Sequence, residues 1–518
     1  MKSVMNHNFS QAPSVDIPRS TFDRSHGVKT TFDAGNLVPI MVEEALPGDT
    51  FNVNLAGFAR LSTPIYPIMD NMFMETFFFA VPHRLIWDNW QKFCGEQVDP
   101  GDSTDYTVPI IDDFINVANE TVWDYLGLPT NVNAQIDINA LAPRAMNLIW
   151  NEWFRDQNLQ DSITVNKGDG PDSIADYTLL KRCKRHDYFT SALPWLQKGD
   201  SVLLALGESA PINSDGSRIA FADASNNHNL AWYNDGTSKI ARSSSVNTAT
   251  GDVIFGVNTG LEADLSEAVG PSVNELRQAV QVQRLLEKDA RSGTRYTEIV
   301  RSHFGVNSPD SRLQRPEYLG GGSTPVNISA VARTDSSPGQ LGATGVAAFK
   351  GHGFSKSFTE HSIVLGFVNV RADLTYQEGL DKMWSRQTKL DYYWPTLAHL
   401  GEQAILNKEI YVDATTATNG TMDDVFGYQE RYAEYRYKPS KICGKFRSND
   451  AQSLDAWHLG IEFGTQPTLD SDFITDNPPV DRVIATPTEP HFIFDSFINM
   501  KCTRPMPVYS IPGFVDHF

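Results

Sequence analysis

The run MFMETFFFAVP at residues 72–82 is apolar on both alternating faces, rich in phenylalanine and closed by Pro82. That pattern predicts a strand buried on both sides, between a second sheet and a covering element. Upstream, from Val38, the sequence reads strand, turn, strand, with Pro47, Gly48 and Asp49 as the turn. Phe51, Val53 and Leu55 alternate with Asn52 and Asn54, so one face is expected to be buried and the other wet. Downstream, strand signals return at residues 363–370 and around Phe492 and Phe497. Strands at both ends of the chain, with helices and long loops between them, predict a mainly β protein: a β-sandwich whose connections have been elaborated.

Helical spacing falls in those connections. It joins Ile86, Trp90 and Phe93, and again Leu141, Ala145, Ile149 and Trp153, where Pro143 suits a first helical turn. Two further helical patches are expected near residues 379–386 and 396–406. Between residues 207 and 270 Asn, Ser, Thr, Asp, Gly and Ala dominate and apolar periodicity nearly vanishes, which reads as an exposed insertion. Ser272 and Glu275 then form a Ser-x-x-Glu capping box ahead of Leu276, Ala279, Val282 and Leu286, and the main domain is expected to resume there. The resulting division is residues 1–206, an arm and the first part of the sandwich; 207–270, the insertion; and 271–518, the remainder with a second arm. The Gly- and Ser-rich stretches at residues 320–323 and 336–345 are expected to be long surface loops.

The chain has 518 residues, 41% hydrophobic and 20% charged, with a formal charge of −20. It has ample apolar material for a core, and as a whole it repels phosphate, so nucleic-acid contact requires a local basic face or a separate basic partner. Cys94, Cys183, Cys443 and Cys502 are far apart with no Cys-x-x-Cys pair, which fits neither a zinc ribbon nor a disulfide scaffold. Residues 1–13 lack the apolar core of a signal peptide, and no run supplies the roughly 18 apolar residues of a membrane span.

Enzyme and cofactor motifs are weak throughout. Gly320, Gly321 and Gly322 lead into Ser323 and Thr324 without the Gly-Lys-Ser/Thr ending of a phosphate loop. Gly351, His352 and Gly353 lack the third glycine of a dinucleotide fingerprint. His399 and Glu402 form a His-x-x-Glu on an expected helix with no second histidine one turn away, and Asp470 and Asp472 lack calcium-loop spacing. Asp423 with Asp424, or Asp102 with Asp105, are ordinary loop carboxylates that could also hold a divalent cation between subunits. There is no Gly-x-Ser-x-Gly elbow, so no catalytic residue, metal or cofactor is assigned.

The clearest constellation is basic and aromatic: Arg431, Tyr432, Tyr435, Arg436 and Tyr437, continuing through Lys438, Lys441, Lys445, Phe446 and Arg447. Cations neutralise phosphates and aromatic faces stack on unpaired bases, so the run suits single-stranded DNA; the plainer reading is a contact between subunits. Lys181, Arg182, Lys184, Arg185 and His186 form a second basic run, expected to be a solvated face or a subunit contact.

Several strings carry a resemblance. STFDRSHGVKTTFDAG at 20–35, RYTEIVRSHFGVNSPDSRLQRPEYLGG at 295–321 and MWSRQTKLDYYWPTLAHLGEQAILNKEIY at 383–411 resemble the major capsid proteins of the Microviridae, in particular the gokushovirus branch. YQERYAEYRYKPSKICGKFR at 428–447 and CTRPMPVYSIPGF at 502–514 extend it, as does the stretch from 58 to 93. The resemblance implies an eight-stranded antiparallel jelly roll whose long loops build a T=1 shell of roughly sixty copies. The shell would enclose circular single-stranded DNA, neutralised largely by a small basic protein, and would assemble in the bacterial cytoplasm with an internal scaffolding protein and a DNA pilot protein. It further implies that residues 207–270 form a surface protrusion that meets a host receptor. The competing class is a β-sandwich carbohydrate-binding or carbohydrate-active protein; a third, a single-strand DNA-binding module, sits poorly with the −20 charge.

Overall fold

The computed structural model describes residues 17–202, 212–214, 221–223, 229–234, 239–243, 253–255, 261–263, 273–307, 314–333, 341–412 and 422–509. The chain forms two compact units, one of Met1–Leu196 with Thr294–Phe518 and one of Gln197–Gly293. The first unit is built on β1 (Ser20–Asp23), β2 (His26–Phe32), β3 (Val38–Ala45), β4 (Thr50–Leu61) and β5 (Met72–Pro82). It continues with β6 (Glu317–Pro325), β7 (Asn327–Ala332), β8 (Leu341–Ser357), β9 (Ser362–Ala372) and β10 (Phe492–Arg504).

Every pairing among these strands is antiparallel. One row runs β2, β10, β4, β8, with β1 beside β2 on the same edge of β10. The other runs β3, β9, β5, β6, and the rows join where β6 meets β8 at Gly321 and Gly353. With β1 and β2 counted as one broken strand and β7, which pairs with the start of β8, left out of the count, these two four-stranded rows, connected back and forth, are an eight-stranded jelly roll. Residues 20–32 are thus a strand of the barrel itself.

Period-2 patterning fills the space between the rows. β4 alternates buried and open positions along its length, placing Phe51, Val53 and Leu55 inside, and β10 does the same with Phe492, Phe494 and Ile498. β5 and β9 have two buried faces, as MFMETFFFAVP predicts. Met72, Met74 and Phe78 point into the sandwich, whereas Phe79 and Val81 point outward with Leu365 and Phe367 of β9. The cover is a helix at Leu141–Ile149, continued by a wider π-helical turn at Trp150–Phe154, with Leu141, Ala145 and Ile149 against the sheet. Full burial of each large apolar side chain stabilises the fold by roughly 1.5–3 kcal/mol, so both faces of this sheet contribute.

The connections between β5 and β6 and between β9 and β10 hold almost everything else. A third cluster joins them: Tyr188, Phe189 and Ala192 of the first connection pack with Tyr376, Ile405 and Phe426 of the second.

Three expectations need correction. Residues 320–323 are not a loop but lie inside β6, because glycine is what lets β6, β5 and β8 crowd together: a Cβ on Gly321 would stand 2.0 Å from the Thr76 carbonyl oxygen. Residues 341–345 likewise open β8, while 336–340 lie outside the described residues. Residues 402–406 are a strand paired with Val425–Glu430, not a helix, so Glu402 and His399 share no helical face.

The helix Val273–Arg291 lies in the unit Gln197–Gly293, and its Leu276 and Val282 are 44% and 40% exposed. Ser272 of the capping box lies outside the described residues. No described helix is long and apolar enough to cross a membrane.

Candidate functional site

The basic aromatic run follows the strand Val425–Glu430 and is held by it. Tyr432 turns the chain at φ 64°, a left-handed conformation that a bulky residue adopts only when its surroundings impose it. Its N–H donates to Gln403 Oε1 at 3.0 Å and its hydroxyl to the Tyr392 carbonyl at 3.2 Å, so the ring is buried. Tyr435 and Tyr437 then emerge half exposed, beside Tyr393 and Met383 from the segment after β9.

Almost every cation of the run already has a partner within the chain. Lys438 and Lys441 both reach Asp381, and Arg436 pairs with Glu430. Arg447 Nη1 donates to the Gln377 carbonyl at 3.0 Å, and the Arg431 guanidinium lies 4.8 Å from the Tyr432 ring centroid. Phe446 packs edge-on to His458. Lys445 is exposed with no ion pair among the described residues.

Behind the aromatic residues lies a cavity of about 190 Å³ lined by Tyr188, Phe189, Met383, Tyr435, Tyr437 and Pro439 together with charged groups. Those charges are matched: Lys382 Nζ lies 3.2 Å from Glu409 Oε1, Arg386 Nη2 2.9 Å from Glu434 Oε1, and the Tyr188 hydroxyl donates to Glu409 at 2.9 Å. Burial and then the Glu409 carboxylate hold the Tyr188 phenol well above its usual value, so it stays a donor. The Arg386 guanidinium also sits 4.3 Å from the Tyr435 ring centroid. Asp381, Lys382, Arg386 and Glu409 are essential to this geometry, yet nothing near them in sequence marks them as its partners.

Three cations of the second basic run are tied within the chain. Arg182 pairs with Glu75 of β5 and lies 5.5 Å from the Phe77 ring centroid, while Lys184 Nζ donates to the Phe473 carbonyl at 2.6 Å. Lys181 donates to Asn477 Oδ1 at 2.6 Å, which leaves Arg185 and His186 to face solvent. The reason is local: this segment crosses the sheet and clips onto residues 473–477, so its cations serve as internal ties. Cys183, between them, has its thiol pushed up to about 12 by burial, which removes it as a nucleophile.

Among the described residues no group of three or more His, Cys, Asp or Glu could hold a metal ion. The carboxylate pairs have other duties: Asp102 Oδ2 accepts from the Val98 and Asp99 N–H groups at 3.1 and 3.2 Å, and Asp423 pairs with Lys408 at 2.6 Å.

A jelly roll with most of its chain in end connections is the frame of viral coat subunits, and jelly rolls also serve in lectins. Residues 10–514 decide between them, for they match the family described as "Capsid protein (F protein)", and the chain belongs to that family. It is 49% identical to capsid protein VP1 of Bdellovibrio phage phiMH2K over 99% of this chain and 98% of that protein. It is 43% identical to capsid protein VP1 of Chlamydia phage 1, again over 99% and 98%. Identity to capsid protein VP1 of Spiroplasma virus 4 is 35%, over 98% and 97%. These are gokushovirus capsid proteins; the chain is a structural component of a bacteriophage virion and not an enzyme.

Proposed function

We propose that about sixty copies of this chain close into a T=1 icosahedral shell around a circular single-stranded DNA genome. The observation that carries the reading is the division of labour in the fold. Eight strands supply most of the core between the rows, and the two long connections, beyond the segments that pack on the strands, carry exposed surfaces such as the aromatic face beside Tyr435. Many modest interfaces then add up, because each copy engages several neighbours at once. The −20 charge makes the shell a poor DNA neutraliser, so a small basic protein accompanies the genome. An internal scaffolding protein and a DNA pilot protein complete assembly in the bacterial cytoplasm, and residues 207–270 form the protrusion that meets the host receptor.

Negative-stain electron microscopy of the chain expressed with its neighbouring phage genes tests this. Uniform icosahedral particles are expected. Only monomers or small rings under all assembly conditions would overturn the reading and turn attention to sugar binding.

A further inference from the structure

Residues 380–400 and 428–447 meet where Met383, Tyr435 and Tyr437 line one cavity and Tyr393 packs on Tyr435; Tyr437 is 55% exposed, Tyr435 52%, Tyr393 50% and Met383 47%. Single exposed apolar side chains need no explanation, but a contiguous aromatic set around a cavity marks a protein contact. We propose that this face is a contact between copies of the chain, in which a neighbour seats an apolar side chain in the cavity bounded by Met383, Tyr435 and Tyr437 and covers the exposed rings around it. The inference rests on the shell reading above.

Two observations select a second copy over nucleic acid. First, the segments hold nine cations against four carboxylates, yet most of those cations are already matched: Lys382, Arg386, Arg436, Lys438 and Lys441 by carboxylates, and Lys389 lies 4.8 Å from the Trp394 ring centroid. A phosphate backbone would have to displace those carboxylates, and binding by counterion release requires free cations. Second, the chain as a whole carries −20, so two copies repel one another over most of their surface. With its carboxylates matched by cations, this face escapes the repulsion that an acidic neighbour meets elsewhere, and tyrosine and arginine are among the residue types on which such contacts concentrate their affinity.

Cys443 is exposed in the same run and provides a native reporter. Its alkylation by iodoacetamide, a small neutral probe, is followed by mass spectrometry in the soluble subunit, in DNA-free particles and in filled particles. At least ten-fold slower labelling is expected in both kinds of particle. Equal rates in subunit and particle would overturn the proposal, and slowing in filled particles alone would assign the face to DNA instead. Absence of particles would sink the shell reading and this inference with it, whereas particles with an unprotected Cys443 sink the inference alone. In parallel, Met383→Ala with Tyr437→Ala is expected to lower particle yield at least ten-fold while the soluble subunit keeps its unfolding temperature; unchanged yield would count against the contact.

Discussion

Arg144 is fully buried in the covering helix, with Nη2 2.6 Å and Nε 2.7 Å from the two Asp172 oxygens. Nη1 donates to the Ile86 and Gly168 carbonyls at 3.1 and 2.9 Å, so one guanidinium ties three segments of the β5–β6 connection together. Removing it strands a buried carboxylate: Arg144→Met should cost about 3–5 kcal/mol, read from chemical unfolding of the subunit. Arg144→Met with Asp172→Leu should cost less than the single change, because no unpaired charge is left behind. Asp476 is the opposite kind of residue. Burial raises its pKa to about 6 against the opposing pull of Arg182, Lys184 and Arg371, with Glu75 adding repulsion. A carboxyl whose folded pKa lies above the unfolded 3.8 holds its proton more tightly in the folded chain. Stability from this site is therefore complete below about pH 4 and falls by about 3 kcal/mol as pH rises past 6. His83 has its pKa lowered to about 4 by burial and then by His361, and it works in the reverse direction over the same window. The readout is thus the difference between Asp476→Asn and the parent, which should widen in the variant's favour between pH 4 and 7; a constant difference would refute the assignment.

The seam between β6 and β8 depends on elements approaching closer than side chains allow. A Cβ on Gly320 would lie 2.5 Å from the Gly353 carbonyl oxygen, and one on Gly353 would lie 2.0 Å from that of Val53. Gly321→Ala should therefore lower stability by about 3 kcal/mol, whereas Gly101→Ala, with no atom within 4 Å, should stay within about 0.5 kcal/mol. Thermal unfolding of both variants checks the contrast. The same seam explains what sequence reading reached and what it missed. Phe51, Val53 and Leu55 were readable because their burial period lies in the residues themselves, and the phenylalanine run was readable because two buried faces leave no polar position to spare. Three successive glycines carry no such local mark. Their meaning is set by Thr76 and Gly353, distant in sequence, and in isolation they read as a loop. Residues 396–406 failed for the same reason, since the strand that pairs with 402–406 comes only at Val425–Glu430. At the candidate site the run from Arg431 to Arg447 was visible, but its neutralisation by Asp381 and Glu430 and its continuation through Met383 and Tyr393 required the folded chain.

On the scale of the whole molecule, charge and modularity govern behaviour. Copies that each carry −20 repel at low ionic strength, where the screening length is about 30 Å at 0.01 M, and much less at 0.15 M, where it is about 8 Å. Particle formation monitored by light scattering should accordingly rise with salt across that range, opposite to the dependence of a DNA-driven association. Modularity yields the sharper test. Residues 207–270 fall inside the unit Gln197–Gly293, whereas the strands of the jelly roll belong to the other unit. Replacing residues 207–270 by a short Gly-Ser linker changes no residue of the jelly-roll unit, so its unfolding temperature should change by only a few degrees and particles should still form. Adsorption of those particles to host cells should be lost, with surface density missing by electron microscopy. If the subunit folds but no longer assembles, the insertion works in building the shell, and recognition of the host must be sought in the long connections of the jelly roll instead.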